Sequence, residues 1–203
     1  TDINSPGIHV LFGFDETRIG KTLNDYLWER ATIEQVAYPL NVVVSDDPGR
    51  GFLRGLAIWL VPSSIRTGEI ARILREGYDV TLLNEGFMML LDDLDLDYLF
   101  IDTHPGLNEE TLLSIAISNA LIIIMRPDQQ DFQGTAVTID IAHKLEVPRL
   151  RLVVNKALSR YDFARLRNEI EESYNVPVAG ILPLSEDVAS NASSNIFSAL
   201  YPD

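Results

Sequence analysis

The sequence predicts a doubly wound α/β domain, a mostly parallel sheet layered between helices on both faces. Three observations predict it. From residue 56 onward, short apolar runs alternate with longer stretches of helical period. The short runs are apolar throughout instead of at every second residue, the mark of strands buried on both faces. Helix-start residues stand between the runs and the helical stretches, as a strand–helix alternation requires.

Each element can be justified in turn. The segment "LAIWLVPSS" (56–64) reads as a strand, and residues 68–94 read as helix broken near Gly77. Strand 97–103 ("DYLFIDT"), helix 108–118, strand 120–127 and helix 131–145 follow. Strand 149–157, helix 161–174, strand 177–183 and helix 185–193 complete the series. Asn108 followed by Glu109 and Glu110, and Ser185 followed by Glu186 and Asp187, are helix starts: a polar cap, then acids facing the positive end of the dipole. The first third is less regular. "KTLNDYLWER" and "ATIEQVAY" read as two short helices, and residues 41–61 suggest a hairpin turned at Asp47-Pro48-Gly49.

Composition bounds the function. At 203 residues the chain is one domain, spanning 1–203, and 46% hydrophobic content with 23% charged is ordinary for a globular protein. The absence of cysteine excludes disulfide scaffolds, thiolate metal sites and cysteine nucleophiles, and agrees with a reducing cytoplasm. Three histidines, His9, His104 and His143, have no ligand-like spacing. A formal charge of −14 opposes nonspecific attraction to DNA or anionic lipid. No apolar stretch reaches about 18 residues, the length a spanning helix needs, and no signal peptide is apparent.

One stretch imitates a phosphate loop. Gly20-Lys21-Thr22 matches the end of G-x-x-x-x-G-K-[ST], but Asp15 stands where the first glycine belongs. The preceding "GFDETRI" is a polar turn and not a buried strand, and carboxylates at Asp15 and Glu16 would repel a triphosphate. The stretch therefore reads as a helix start with Lys21 on its solvated face.

Ligands of such sheets bind at the carboxyl ends of the strands. Strand 97–103 delivers Asp102 there after four bulky residues, the form of a Walker B segment whose aspartate holds a hydrated Mg²⁺. An aspartate at a strand end also serves simply to cap the next turn, and this reading stays open.

The order and spacing of "FIDTHPGLNEETL", "ALIIIMRPDQQDFQGTAVTID", "LVVNKALSRYD" and "GILPLSEDVASNAS" resembles the MinD/ParA family of deviant Walker A ATPases. "TDINSPGIHVLFGF" looks like the segment after that family's second strand. The resemblance runs over essentially the whole chain. It implies ATP and Mg²⁺ as cofactors, Asp2 as the switch aspartate near the attacking water and Asp102 as the metal-binding aspartate. Asn155 matches the position beside the adenine, where an amide suits the donor and acceptor edge of that base. Pro183 and the following loop match the segment against the base, and Arg126-Pro127 match a loop on the same rim. Strand-end and turn roles for Asn155 and Pro183, and a disordered terminus at Asp2, remain open beside these.

The family's defining strand, two-lysine glycine loop and helix are not in this sequence, and the resemblance implies that a βαβ portion carrying them precedes Thr1. The 203 residues alone are then expected to bind ATP poorly and hydrolyse it negligibly, since phosphoryl transfer rests on positioning and charge neutralisation. Two functions follow. One is an ATP-binding, ATP-hydrolysing switch for intracellular positioning or partition, cytoplasmic, forming an ATP-dependent homodimer and engaging a protein partner. DNA and membrane are not supported as partners, by the charge and by the lack of a basic amphipathic tail at "SALYPD". The other is a non-catalytic regulatory or scaffolding module that kept the fold and lost the loop. A receiver domain is a third, weaker possibility: the chain is long for one and lacks a paired acidic cluster at an early strand end.

Overall fold

In the computed structural model, residues 7–15, 18–40, 57–103 and 106–191 are described. Their contacts fall into two units, one formed by Gly106–Asp187 and the other by the remainder of the chain.

The 106–187 unit is a run of strand–helix repeats. Helix α5 (Glu109–Ile117) leads to β3 (Leu121–Met125), α6 (Gln129–Lys144), β4 (Leu150–Ala157), α7 (Phe163–Tyr174) and β5 (Val178–Pro183). The three strands form a parallel sheet in the order β3-β4-β5. Helix starts are set by side chains: Asn108 accepts from the Thr111 N–H, Asp128 from Asp131 N–H, and Asp162 from the Ala164 and Arg165 N–H groups. Asn175 takes the left-handed conformation that ends α7. The core is apolar: Leu150, Leu152 and Val154 of β4 meet Met125, Val178, Ile139, Ala142 and Ile170. Each such side chain contributes about 1.5–3 kcal/mol by leaving water. Because side chains alternate along a strand, Ile122 and Ile124 turn the other way and are 56% and 66% exposed. This differs from burial on both faces, which the sequence suggested for this strand.

The other unit begins with α1 (Ile8–Leu11), α2 (Leu23–Leu27) and a 3₁₀ turn (Glu34–Val36). Strands β1 (Tyr38–Leu40) and β2 (Ile58–Leu60) pair antiparallel, as the base of a hairpin must; the turn at 47–49 lies outside the described residues. Helices α3 (Thr67–Glu76) and α4 (Val80–Asp93) are split at Gly77, whose φ of 71° stops the first, and Asp79 caps the second. Tyr26 lies across Gly86 of α4, where a Cβ would come within 2.6 Å of its ring, and its hydroxyl donates to the Leu82 carbonyl.

The expected strand at 97–103 is not formed. The segment keeps a strand-like alternation, with Tyr98 and Phe100 79% and 87% exposed, yet pairs with no described strand. Bulky residues suit a pleated surface, but a ladder exists only where a neighbour completes its hydrogen bonds.

Candidate functional site at the carboxyl rim of the parallel sheet

A parallel sheet brings all of its carboxyl ends to one rim. Met125 lies opposite Val154, so Arg126, just past β3, stands beside Asn155, near the carboxyl end of β4. Pro183 lies opposite Ala157, and the Leu184 N–H donates to the Ala157 carbonyl at 2.8 Å. Arg126, Pro127, Asn155 and Pro183 are thus brought to a common edge within one unit. Asp102 is exposed and belongs to the other unit. Asp2 lies outside the described residues.

Arg126 is engaged on its own side of the rim. Its backbone N–H and Nε both donate to Asp131 Oδ2, at 2.8 and 3.1 Å, and Nη2 donates to Oδ1 at 3.1 Å. Asp128 adds an ion pair at 3.4 Å. Hydrogen bonds from the Arg126 guanidinium, then from its backbone, hold the Asp131 carboxyl below its ordinary value of 3.8. The clamp fixes the β3–α6 turn and occupies the guanidinium. Asp128 caps α6 from the same turn, accepting from the Asp131 N–H at 3.0 Å.

At Asn155 the strand is irregular. Between the pairs Val154–Ile181 and Ala157–Pro183, β4 advances by three residues while β5 advances by two. The extra residue makes a β-bulge, a device that re-aims side chains at sheet rims. Lys156 absorbs it with φ of 56°. Five described non-glycine residues have positive φ, and four of them, Glu29, Asp95, Glu146 and Asn175, follow helix ends. Lys156 alone stands within a strand, where such a conformation costs about 1–2 kcal/mol. Its N–H donates to Asn155 Oδ1 at 2.9 Å. Nothing in "VVNKA" signals the bulge beforehand.

The Gly20-Lys21-Thr22 stretch is a helix start. Thr22 N–H and Oγ1 both donate to Asp25 Oδ2, at 3.0 and 3.2 Å, and Lys21 is exposed. The Gly20 and Lys21 N–H groups donate to the Tyr38 hydroxyl at 2.9 and 2.7 Å, and that hydroxyl donates to the Lys21 carbonyl. Amides held this way are not presented to a phosphate. A neighbouring polar cavity of about 20 Å³, beside Ser63 and Ser64, has room for water and not for a nucleotide. Among the described residues, no cluster of three or more histidine or carboxylate side chains could by itself hold a metal ion. No helix among them is long and apolar enough to cross a membrane.

The residues at the rim fit the base of a nucleotide better than its phosphates. Asn155 offers amide hydrogens and Pro183 an exposed apolar surface, whereas the described residues supply no glycine loop for phosphate.

No family model matches the chain. It is 24% identical over 195 residues to an uncharacterized ATP-binding protein of Methanocaldococcus jannaschii, covering 94% of this chain and 64% of that protein. The chain thus spans less than two thirds of the length of that curated relative. Among solved structures, the septum site-determining protein MinD of Pyrococcus horikoshii, complexed with Mg-ADP, superposes with a TM-score of 0.73 at 16% identity; the match covers 95% of this chain and 70% of that one. A ParA family ATPase of Chlorobium tepidum superposes with a TM-score of 0.67 at 15% identity, covering 96% and 74% of the two chains. The chain has the P-loop NTPase-like fold of the MinD and ParA ATPases, as its ordered motifs implied.

Proposed function

We propose that this chain is the larger part of a MinD/ParA-type switch protein that binds ATP with Mg²⁺, hydrolyses it, and uses the cycle to position or partition a cargo in the cytoplasm. The observation that carries this reading is the rim itself: three parallel strands that bring Arg126-Pro127, Asn155 and Pro183 to one edge, in a chain with this fold. Asn155 would contact the base and Pro183 would cover it, while the Arg126 clamp keeps the β3–α6 turn in place. Asp102 is the residue we assign to Mg²⁺, and Asp2 to the attacking water. Mg²⁺, when bound, draws charge from the phosphate oxygens. Asp102 would hold it through its waters, for which a single carboxylate is chemically adequate. An ATP-dependent homodimer and a protein partner complete the proposal, with DNA and membrane disfavoured by the charge of −14.

The test is ATP binding by the full-length protein with and without Mg²⁺, followed by calorimetry. Binding that requires Mg²⁺ and weakens about tenfold or more in Asp102→Ala, a change of about 1.4 kcal/mol, supports the reading. Absence of ATP binding under both conditions refutes it.

A further inference from the structure

We infer that Met88 and Met89, neighbours on α4, form a reversible oxidation site: a peroxide converts their thioethers to sulfoxides while the fold stays intact. The inference is independent of the nucleotide-binding reading above.

The chain contains no cysteine and three methionines, so Met88, Met89 and Met125 hold all of its sulfur. An oxidant that elsewhere meets a thiolate first has only thioethers to attack here. Their surroundings divide the three. Met125 is 1% exposed in the apolar core, on a strand paired with β4, so a peroxide reaches it only when that ladder opens. Met88 and Met89 are 54% and 43% exposed. Helix α4 buries Leu83, Gly86, Phe87 and Leu90, and turns Glu85, Met88, Met89 and Asp92 to water. Glu85 and Asp92 lie three or four positions from the pair and frame it with polar groups. A sulfoxide oxygen on this arc is therefore solvated, while Phe87 and Leu90 keep the packing of the helix. The reaction balances. A sulfur lone pair attacks one peroxide oxygen, the O–O bond breaks and an S–O bond forms. The released hydroxide takes the proton of the transferred oxygen and leaves as water. Sulfur loses two electrons and the peroxide gains them. Reversal needs a dithiol reductase from outside, because this chain has no thiol; its dithiol becomes a disulfide as the sulfoxide oxygen departs in water.

The test treats the native full-length protein with hydrogen peroxide and follows the peptides carrying these three residues by mass spectrometry. Met88 and Met89 should each gain one oxygen about tenfold or more faster than Met125, because reactivity follows exposure and Met125 must wait for opening. In urea, where the chain is unfolded, the three rates should converge to within about twofold, since only the fold separates them. Protein oxidised at both residues should keep the unmodified urea midpoint. Methionine sulfoxide reductases for the two epimers, supplied with a dithiol, should return both peptides to their unmodified mass. Equal rates at all three residues in the native protein, or rates that stay apart in urea, would overturn the inference. So would a lowered urea midpoint after oxidation of the pair, or sulfoxides that the reductases cannot remove. None of these outcomes bears on ATP binding, which stands or falls on its own test.

Discussion

Two turns in this molecule capture an oxygen with backbone amides, and they do so with opposite consequences. At Gly20-Lys21 the oxygen is the hydroxyl of Tyr38, 17 to 18 residues away in sequence. Both amides are consumed, and the Tyr38 proton returns to the Lys21 carbonyl, so the turn closes on itself. At Lys156 the oxygen belongs to the adjacent Asn155, and the capture leaves the other end of that amide open. The stretch that looks most like a nucleotide motif is the one whose donors are already satisfied. The stretch with no likeness to a phosphate loop keeps donors to spare. Resemblance to a loop lies in residue types, whereas availability lies in where each N–H already points.

Removing the Tyr38 hydroxyl is the harshest way to break this comparison. Tyr38→Phe deletes three hydrogen bonds at once. Gly20 and Lys21 are exposed, so water replaces part of the loss, and the expected cost is about 1–2 kcal/mol. Urea unfolding should show a lower midpoint with an unchanged slope. ATP affinity of the full-length protein should stay at the wild-type value. A selective loss of ATP binding without loss of stability would mean that the turn contacts nucleotide after all.

The contrast also shows what the sequence can and cannot reveal. The helix start at Asn108 was legible because a cap is a local contract: its side chain accepts from the Thr111 N–H three residues ahead. The break at Gly77 was legible because positive φ suits glycine. The parallel strands of the 106–187 unit were legible from unbroken apolar runs. Strand 97–103 misled for the complementary reason. Tyr98, Phe100 and Ile101 carry the right residue types, but pairing depends on a neighbour that residue types do not supply. The rim residues Arg126, Asn155 and Pro183 came from the family resemblance, and the parallel register brings them to one edge of the sheet. The β4 bulge did not, because its left-handed residue is a lysine with no turn signal around it. The Tyr38 contact was equally hidden, being set by tertiary packing across a long separation.

A gentler change sharpens the other side of the comparison. Lys156→Gly removes the side-chain penalty of a left-handed backbone, about 1–2 kcal/mol, against a glycine entropy cost of roughly 0.5–1 kcal/mol. A net gain of about 0.5–1 kcal/mol is expected, seen as a higher urea midpoint. Destabilisation would show that the lysine side chain packs usefully at the rim and that the backbone conformation is not strained. The same variant keeps the N–H that holds Asn155, so it distinguishes strain from anchoring.

The smallest effect concerns the rim's charged neighbour, and pH reveals it better than a single melt does. Arg126 holds the Asp131 carboxyl below its ordinary value of 3.8 through its guanidinium and its backbone N–H. A carboxyl depressed in the folded state contributes stability that is fully present above its unfolded value. That contribution is lost as pH falls through the lower, folded value. Arg126→Ala removes the guanidinium but keeps the backbone N–H, so it should reduce stability modestly at neutral pH, the pair being largely solvated. The gap between wild type and variant should narrow as the pH is taken below 3.8, because protonated Asp131 has no charge for the guanidinium to meet. Thermal melts of both proteins across that acid range would check it. A gap that stays constant with pH would assign the role of Arg126 to packing of its stem against the β3–α6 turn, with the Asp131 carboxylate held by the Arg126 backbone N–H alone.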